Sequence, residues 1–235
     1  MTALAIMQPY FAPYLGYWQL LHAVDRFVVY DDVQYMKGGW INRNRVLING
    51  EPHYITVPVP GASPNRLISD LPIAGPAHPW RAKLLRSVKM GYRRAPHFDR
   101  VYPVLETIVH YQTDNLAHFL LHQLETLVAH IGIQTIIVQS SRRYDNAHLR
   151  SCARVIDICR REGARRYVNA PAGRALYQPA PFAAEGIELR FLAPQLPAYT
   201  QRDGPFRPGL SIIDALMETG PEGVRTMLDA YSLSG

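Results

Sequence analysis

Apolar and polar positions follow two different periods along the chain, and the switches between them mark out the elements. Leu4-Ala5-Ile6-Met7 is a continuous apolar run of strand length. Pro9 and Pro13 forbid helix up to about Tyr14. Tyr14, Tyr17, Trp18, Leu20 and Leu21 then supply an apolar face at helical spacing, and Asp25 marks the exit. Phe27-Val28-Val29-Tyr30 is a second apolar run, stopped by Asp31-Asp32. Strand, helix and strand at this spacing predict a βαβ unit with parallel pairing.

A hairpin follows. Arg45 to Ile48 and His53 to Val57 flank Asn49-Gly50, a strong turn signal. Pro58, Pro60, Gly61 and Pro64 break structure, and Asn65 to Ile73 reads as one more short strand. The middle is helical: His78 to Tyr92, then His97 to Tyr111 with a bend or reset at Pro103. A longer helix comes next, capped by Thr113-Asp114-Asn115 and stopped by Gly132. Beyond it the pattern alternates again. Thr135 to Val138, Tyr167 to Asn169 and Ile187 to Phe191 read as strands, and Ala147 to Arg161 and Arg174 to Glu185 as helices. A Pro-rich loop leads to a helix opened by Ser211, broken at Gly220-Pro221 and followed by a last helix ending near Ala230. The expected fold is α/β. It has a Rossmann-like, mostly parallel sheet covered by helices, a β-hairpin after the second strand and a helical middle segment at about 76–131.

Composition is that of a globular protein, 48% hydrophobic and 19% charged over 235 residues, enough for one good core. The formal charge of +6 is mostly an arginine excess, which suits an anionic small-molecule substrate. The basic residues are dispersed in pairs such as Arg93-Arg94 and Arg165-Arg166, with no basic tail, so nucleic acid is a secondary reading. Cys152 and Cys159 fall on one helical face, two turns apart and too far for a disulfide. No signal peptide and no membrane-spanning run is present, so a cytoplasmic protein is expected.

Ligands of open parallel sheets sit at the carboxyl ends of the strands. Gln8-Pro9-Tyr10, Asp31-Asp32-Val33-Gln34 and Asn169 to Gly173 all meet that condition and are expected to line one crevice. Of the two adjacent aspartates, one should face the site and the other away. Asp31 is taken as a candidate base, against the plainer reading of a loop-starting Asp that bonds its own backbone. In an extended Asn42-Arg43-Asn44-Arg45, the asparagines share one face and the arginines the other. The first face offers amides to a sugar or base edge, and the second offers guanidiniums to a phosphate. A solvated edge strand is the competing reading. His22, on the first helix, and His97, entering from the helical middle, are weak candidate bases. His118 and His122 form an i, i+4 pair with no third partner, read as surface rather than metal ligands, and no metal site is expected. No phosphate-binding glycine loop and no Gly-x-Ser-x-Gly elbow occurs.

Met7-Gln8-Pro9-Tyr10, Tyr14-Leu15-Gly16-Tyr17, Phe27 to Tyr35, Trp40 to Arg45 and Val57-Pro58-Val59 together resemble the WbqC-like family. Tyr199, Phe206 and Leu210 to Leu216 fit its closing pattern, so the resemblance spans nearly the whole chain. It implies one domain over residues 1–235 and an association with O-antigen and other polysaccharide gene clusters or specialised-metabolite pathways. It carries over no catalytic residues. A weaker likeness, at the level of fold, is to nucleotidylyltransferases and pantothenate synthetase. Where those carry His-x-Gly-His, this chain has Tyr14-Leu15-Gly16-Tyr17.

The resulting expectation is a transferase that acts on an activated anionic small molecule, leaning to acyl or aminoacyl transfer onto an amino group. The substrate would be a nucleotide-sugar, or an acyl or aminoacyl group on a carrier such as a carrier-protein thioester, and the cofactor is unspecified. Asp31, His22 or His97 would act as base. Gln8, Tyr10, Asp32, Gln34, Trp40, Asn42, Arg43, Asn44 and Arg45 would bind substrate. The alternatives are a nucleotidyltransferase-like enzyme and a non-catalytic partner of a carrier protein or biosynthetic enzyme.

Overall fold

A computed structural model describes residues 2–202 and 204–235. The predicted βαβ unit is present as β1 (Ala3–Met7), α1 (Leu15–His22) and β2 (Arg26–Val29), with β1 and β2 parallel. Three more strands join them in parallel: β5 (Ile136–Val138) beside β2, β6 (Arg166–Asn169) beside β1, and β7 (Glu188–Pro194) beside β6. β8 (Tyr231–Ser234) closes the edge antiparallel to β7, which gives the order β5-β2-β1-β6-β7-β8.

Both faces of this sheet are covered, which is why its strands read as apolar runs rather than alternating ones. Successive side chains go to opposite layers. Ala5, Phe27, Val29 and Val168 join the large core formed with α1, α2 (Trp80–Tyr92), α3 (Phe98–Val109), α4 (Leu116–Ile131) and α7 (Ile212–Met227). Leu4, Ile6, Val28 and Tyr167 join the smaller one under α5 (Ser151–Arg161) and α6 (Pro179–Ala184). Cys159 is buried in that smaller core, its thiol pushed up to about 12 chiefly by burial.

The hairpin forms as β3 (Arg43–Ile48) and β4 (Glu51–Thr56), a separate two-stranded sheet. Asn49 and Gly50 take the positive φ angles, 53° and 75°, that such a turn requires. It packs on α2 at Gly91, where a Cβ would lie 2.3 Å from the Leu47 carbonyl oxygen.

Four expectations need correction. Residues 65–73 do not form a strand. Their amides go singly to loops, Ile68 to Val33, Ser69 to Asp31 and Ile73 to Asp114, around a single 3-10 turn at Ile68–Asp70. Pro103 does not reset α3, because it lies in the second turn and forfeits only one bond there. The helix foreseen over Arg174 to Glu185 is a 3-10 turn, Pro171–Ala175, and then the short α6, started by Pro179. After the kink at Gly220 (φ 71°), α7 stops at Met227, and the remainder turns into β8. Among the described residues no helix is long and apolar enough to cross a membrane.

Candidate functional site

β1 and β2 end side by side, Met7 against Val29, so Gln8 and the run from Tyr30 to Gln34 emerge together. A cleft of about 730 Å³ opens there. Gln8, Tyr30, Asp32 and Gln34 line one side, and Met36, Pro64 and Leu67 another. Leu149, Arg150 and the first turn of α5, from Ser151 to Arg154, close the third. Arg150 is the N-cap residue of α5, and no side chain caps that end. Its first-turn amides therefore carry the positive end of the helix dipole towards the cleft.

The two aspartates divide as their strand-like placement demands. Asp32 turns to α5, where Arg154 pairs with one of its carboxylate oxygens and the Ser141 hydroxyl donates to the other. Arg154 is itself buried; its Nε donates to Asn146 Oδ1 at 2.9 Å, and its guanidinium lies 4.9 Å from the centre of the Tyr30 ring. Asp31 turns to the loop after β5. Its Oδ1 accepts from Ser140 Oγ at 2.8 Å and from the Ser141 amide at 3.1 Å.

Burial pushes the Asp31 carboxyl above its ordinary value of 3.8, against the pull of the Ser140 and Ser141 donors. A carboxyl raised in this way contributes stability that is complete below 3.8 and is lost as pH rises through the folded-state value. Asp31→Asn cannot ionise and keeps an acceptor oxygen for both serines. Its stability relative to wild type is therefore expected to improve between pH 4 and pH 7, as urea unfolding at each pH will show. An unchanged difference across that range rules out the assigned titration.

The other expected site residues are distributed more widely. Asn42 Nδ2 donates to the Val57 carbonyl at 2.8 Å, and its Oδ1 accepts from Tyr35 Oη at 2.7 Å. Asn44 is buried, and its Nδ2 holds the Phe11 and Ala12 carbonyls at 3.1 and 2.9 Å. Both amides are therefore consumed inside the fold: Asn44 fixes the loop after β1, where Ala12 takes a φ of 40°, and Asn42 ties Tyr35 to Val57 at the end of the hairpin. The Tyr10 ring lies tilted against the buried Tyr17, with centroids 5.6 Å apart. Trp40, Arg43 and Arg45 sit together on the outer face of the hairpin.

Two of the histidines lie away from Asp31. His22 ends α1, at the opposite end of the sheet, with Nε2 3.3 Å from Asp229 Oδ1. His97 precedes α3, and its ring packs against the α7 kink, 2.8 Å from where a Cβ on Gly220 would sit. Residues 169–173 do not line the cleft either. Asn169 folds back, its Oδ1 accepting from the Ala170 amide at 2.7 Å.

The WbqC-like protein family profile matches residues 8–226. The chain belongs to the WbqC-like protein family. An uncharacterized protein of Mycobacterium tuberculosis is 31% identical to it over 225 residues, 94% of this chain and 96% of that one. No solved structure gives a significant match. For this WbqC-like chain the match begins at Gln8, the first cleft residue, and takes in Asp31, Asp32 and Arg154.

Sequence reasoning missed Arg154, Ser141 and Tyr30. Arg154 had a signal: it occupies the apolar stripe of α5, one turn before Ile158 and beside Val155. A charge in such a stripe calls for a buried partner. Ser141 had none, because a serine in a loop is unremarkable until the fold brings it to Asp31 and Asp32.

Proposed function

We propose that the cleft is the site of a transferase acting on an activated, anionic small molecule, with acyl or aminoacyl transfer to an amine as the reaction. One observation carries this reading. The uncapped N-terminus of α5, an anion-binding feature, opens into the same cleft as a carboxylate and two glutamine side chains. An activated donor brings phosphate or another anion to the first, and an amine acceptor suits the second. Asp32 would orient the acceptor nitrogen, with Arg154 and Ser141 fixing its carboxylate. Gln8 and Gln34 would position the two substrates.

The acceptor nitrogen bonds to the acyl carbon, the bond to the leaving oxygen or sulfur breaks with its electron pair, and the proton lost from nitrogen passes to that leaving atom. Direct transfer between bound substrates fits better than a covalent intermediate. Cys152 has its thiol pushed up by burial, and Ser151 is an exposed residue at the start of α5. Membership of the WbqC-like family is consistent with a place in polysaccharide assembly.

Nucleotidyl transfer has less support. Tyr17, at one position of the missing histidine pair, is buried with its hydroxyl on the Gln8 carbonyl.

Thermal unfolding of the purified chain with nucleotide-sugars, acyl thioesters, and nucleoside triphosphates with magnesium tests the proposal. A true donor at a hundred times its Kd should add about 2.7 kcal/mol. Gln8→Ala and Gln34→Ala should reduce that gain. Stabilisation by triphosphate with magnesium alone would replace the reading with nucleotidyl transfer. Silence across the panel would leave a partner-binding role.

A further inference from the structure

We infer that the outer face of the β3–β4 hairpin is a nucleotide-stacking platform that continues the cleft, so that the donor used here is nucleotide-activated. This rests on the transferase reading of the cleft and names its substrate class. Trp40 and Tyr54 are 40% and 55% exposed, so core packing accounts for neither. Their rings stack with centroids 6.4 Å apart and planes 27° from parallel. The Arg43 guanidinium lies 4.7 Å from the centre of Tyr54, and that of Arg45 lies 5.5 Å from the centre of Trp40. Arg45 and Tyr54 are register partners across the hairpin, which puts them on one face.

Arg43 is anchored from behind, on the Gly38 and Gly39 carbonyls. Arg45 Nε is buried with no hydrogen-bond partner. Among the described residues neither arginine is in an ion pair with a carboxylate. The surface is therefore cationic, flat and short of acceptors. Met36 connects it to the cleft: it lines the cleft, and its Sδ lies 3.3 Å from where a Cβ on Gly39, the neighbour of Trp40, would sit.

Indole faces and guanidinium planes both stack on nucleobases, and guanidinium edges take phosphate oxygens. A sugar acid would satisfy the edges but make little use of the flat faces. Asn42 and Asn44, the amides that would read a base edge, are consumed inside the fold. The platform should accordingly hold different bases with similar affinity.

The test uses tryptophan fluorescence of the full chain. Of its three tryptophans, Trp18 and Trp80 are buried at 0% and 3% exposure, so quenching by a surface ligand reports Trp40. The ligands are ADP, GDP and UDP, with inorganic pyrophosphate and glucuronate beside them, and affinities come from calorimetry. All three nucleotides should quench, and Trp40→Ala should weaken them about tenfold or more while leaving pyrophosphate unaffected. Trp40→Phe should recover most of the loss, and its unfolding midpoint checks the fold. Equal nucleotide affinity in wild type and Trp40→Ala overturns the platform and leaves the cleft reading standing. Failure of both nucleotides and pyrophosphate to bind overturns both. Equal weakening of pyrophosphate and nucleotide, or quenching by glucuronate alone, also overturns the inference.

Discussion

Arg154→Ala is expected to lower the folding free energy by about 3–5 kcal/mol, because it strips the partner from a buried carboxylate. Asp32 and Arg154 are 8% and 5% exposed. Desolvating both charges is offset by their contact, by the Asp32 carbonyl that Arg154 also reaches at 3.4 Å, and by Asn146, Ser141 and the Tyr30 ring around them. With Arg154 gone, Asp32 keeps the Ser141 hydroxyl, which does not balance a full charge. Urea unfolding reads the loss as a drop in midpoint at constant slope. The double variant Asp32→Leu, Arg154→Met removes both charges and should lie closer to wild type than the single one. A single-variant loss under about 1 kcal/mol, the scale of exposed pairs, would show that the pair is solvated. The prediction matters for function because the same pair fixes the carboxylate that faces the cleft.

How far the sequence reveals this arrangement depends on the range of each interaction. The β1-α1-β2 unit was legible because its signals are local: an apolar run, prolines that delay the helix, and a helical stripe from Tyr14 to Leu21. The Asn49-Gly50 turn and the Asn115 cap were legible for the same reason, and Asn115 Oδ1 does accept from the His118 amide at 3.1 Å. β8 was not. Tyr231 to Ser234 alternates apolar and polar over only four residues, too short a run to stand out, and it becomes a strand because the edge of β7 offers it a ladder. At the site, Gln8, Asp32 and Gln34 could be placed from strand ends alone. The outward face of Arg43 and Arg45 followed from strand alternation. That Asn42 and Asn44 are structural could not be read, since their partners, Val57, Phe11 and Ala12, are loop carbonyls brought near only by folding. His22 could have been placed, because the last residue of the α1 crossover lies where β2 begins, away from the strand ends that open the crevice. His97 had no such local sign, since its place depends on how α3 packs against α7.

The largest effect away from the cleft is expected at Asp214, whose replacement by alanine should cost about 3–5 kcal/mol. Asp214 is fully buried in the first turn of α7. It accepts from Tyr92 Oη at 2.7 Å, Tyr199 Oη at 2.6 Å and Gln201 Nε2 at 2.7 Å. Burial first, and Asp214 second, pushes both phenols up, so both remain protonated donors at neutral pH. The same atoms extend outwards: Tyr92 Oη accepts from the Leu47 amide of β3 at 2.8 Å, and Gln201 Oε1 from the Arg207 amide at 2.7 Å. One carboxylate thus joins the hairpin, α2, α7 and the loop before α7. Alanine leaves the Tyr92 and Tyr199 hydroxyls without an acceptor, leaves Gln201 Nε2 only the Arg207 carbonyl at 3.3 Å, and removes a negative charge from a helix N-terminus, where it is favourable. Asp214→Asn keeps the shape but turns an N–H₂ group towards donors, so it should fall between alanine and wild type. Tyr92→Phe should cost less, about 1–3 kcal/mol, since it orphans only the Leu47 amide and one carboxylate lone pair. Hydrogen exchange supplies the second readout. If the carboxylate holds the loop, Asp214→Asn should speed exchange at the Arg207 amide while the amides of β1 and β2 keep their protection. Uniform loss of protection in all of them would assign Asp214 to global stability alone, and a loss below about 1 kcal/mol for Asp214→Ala would remove it as the node of the network.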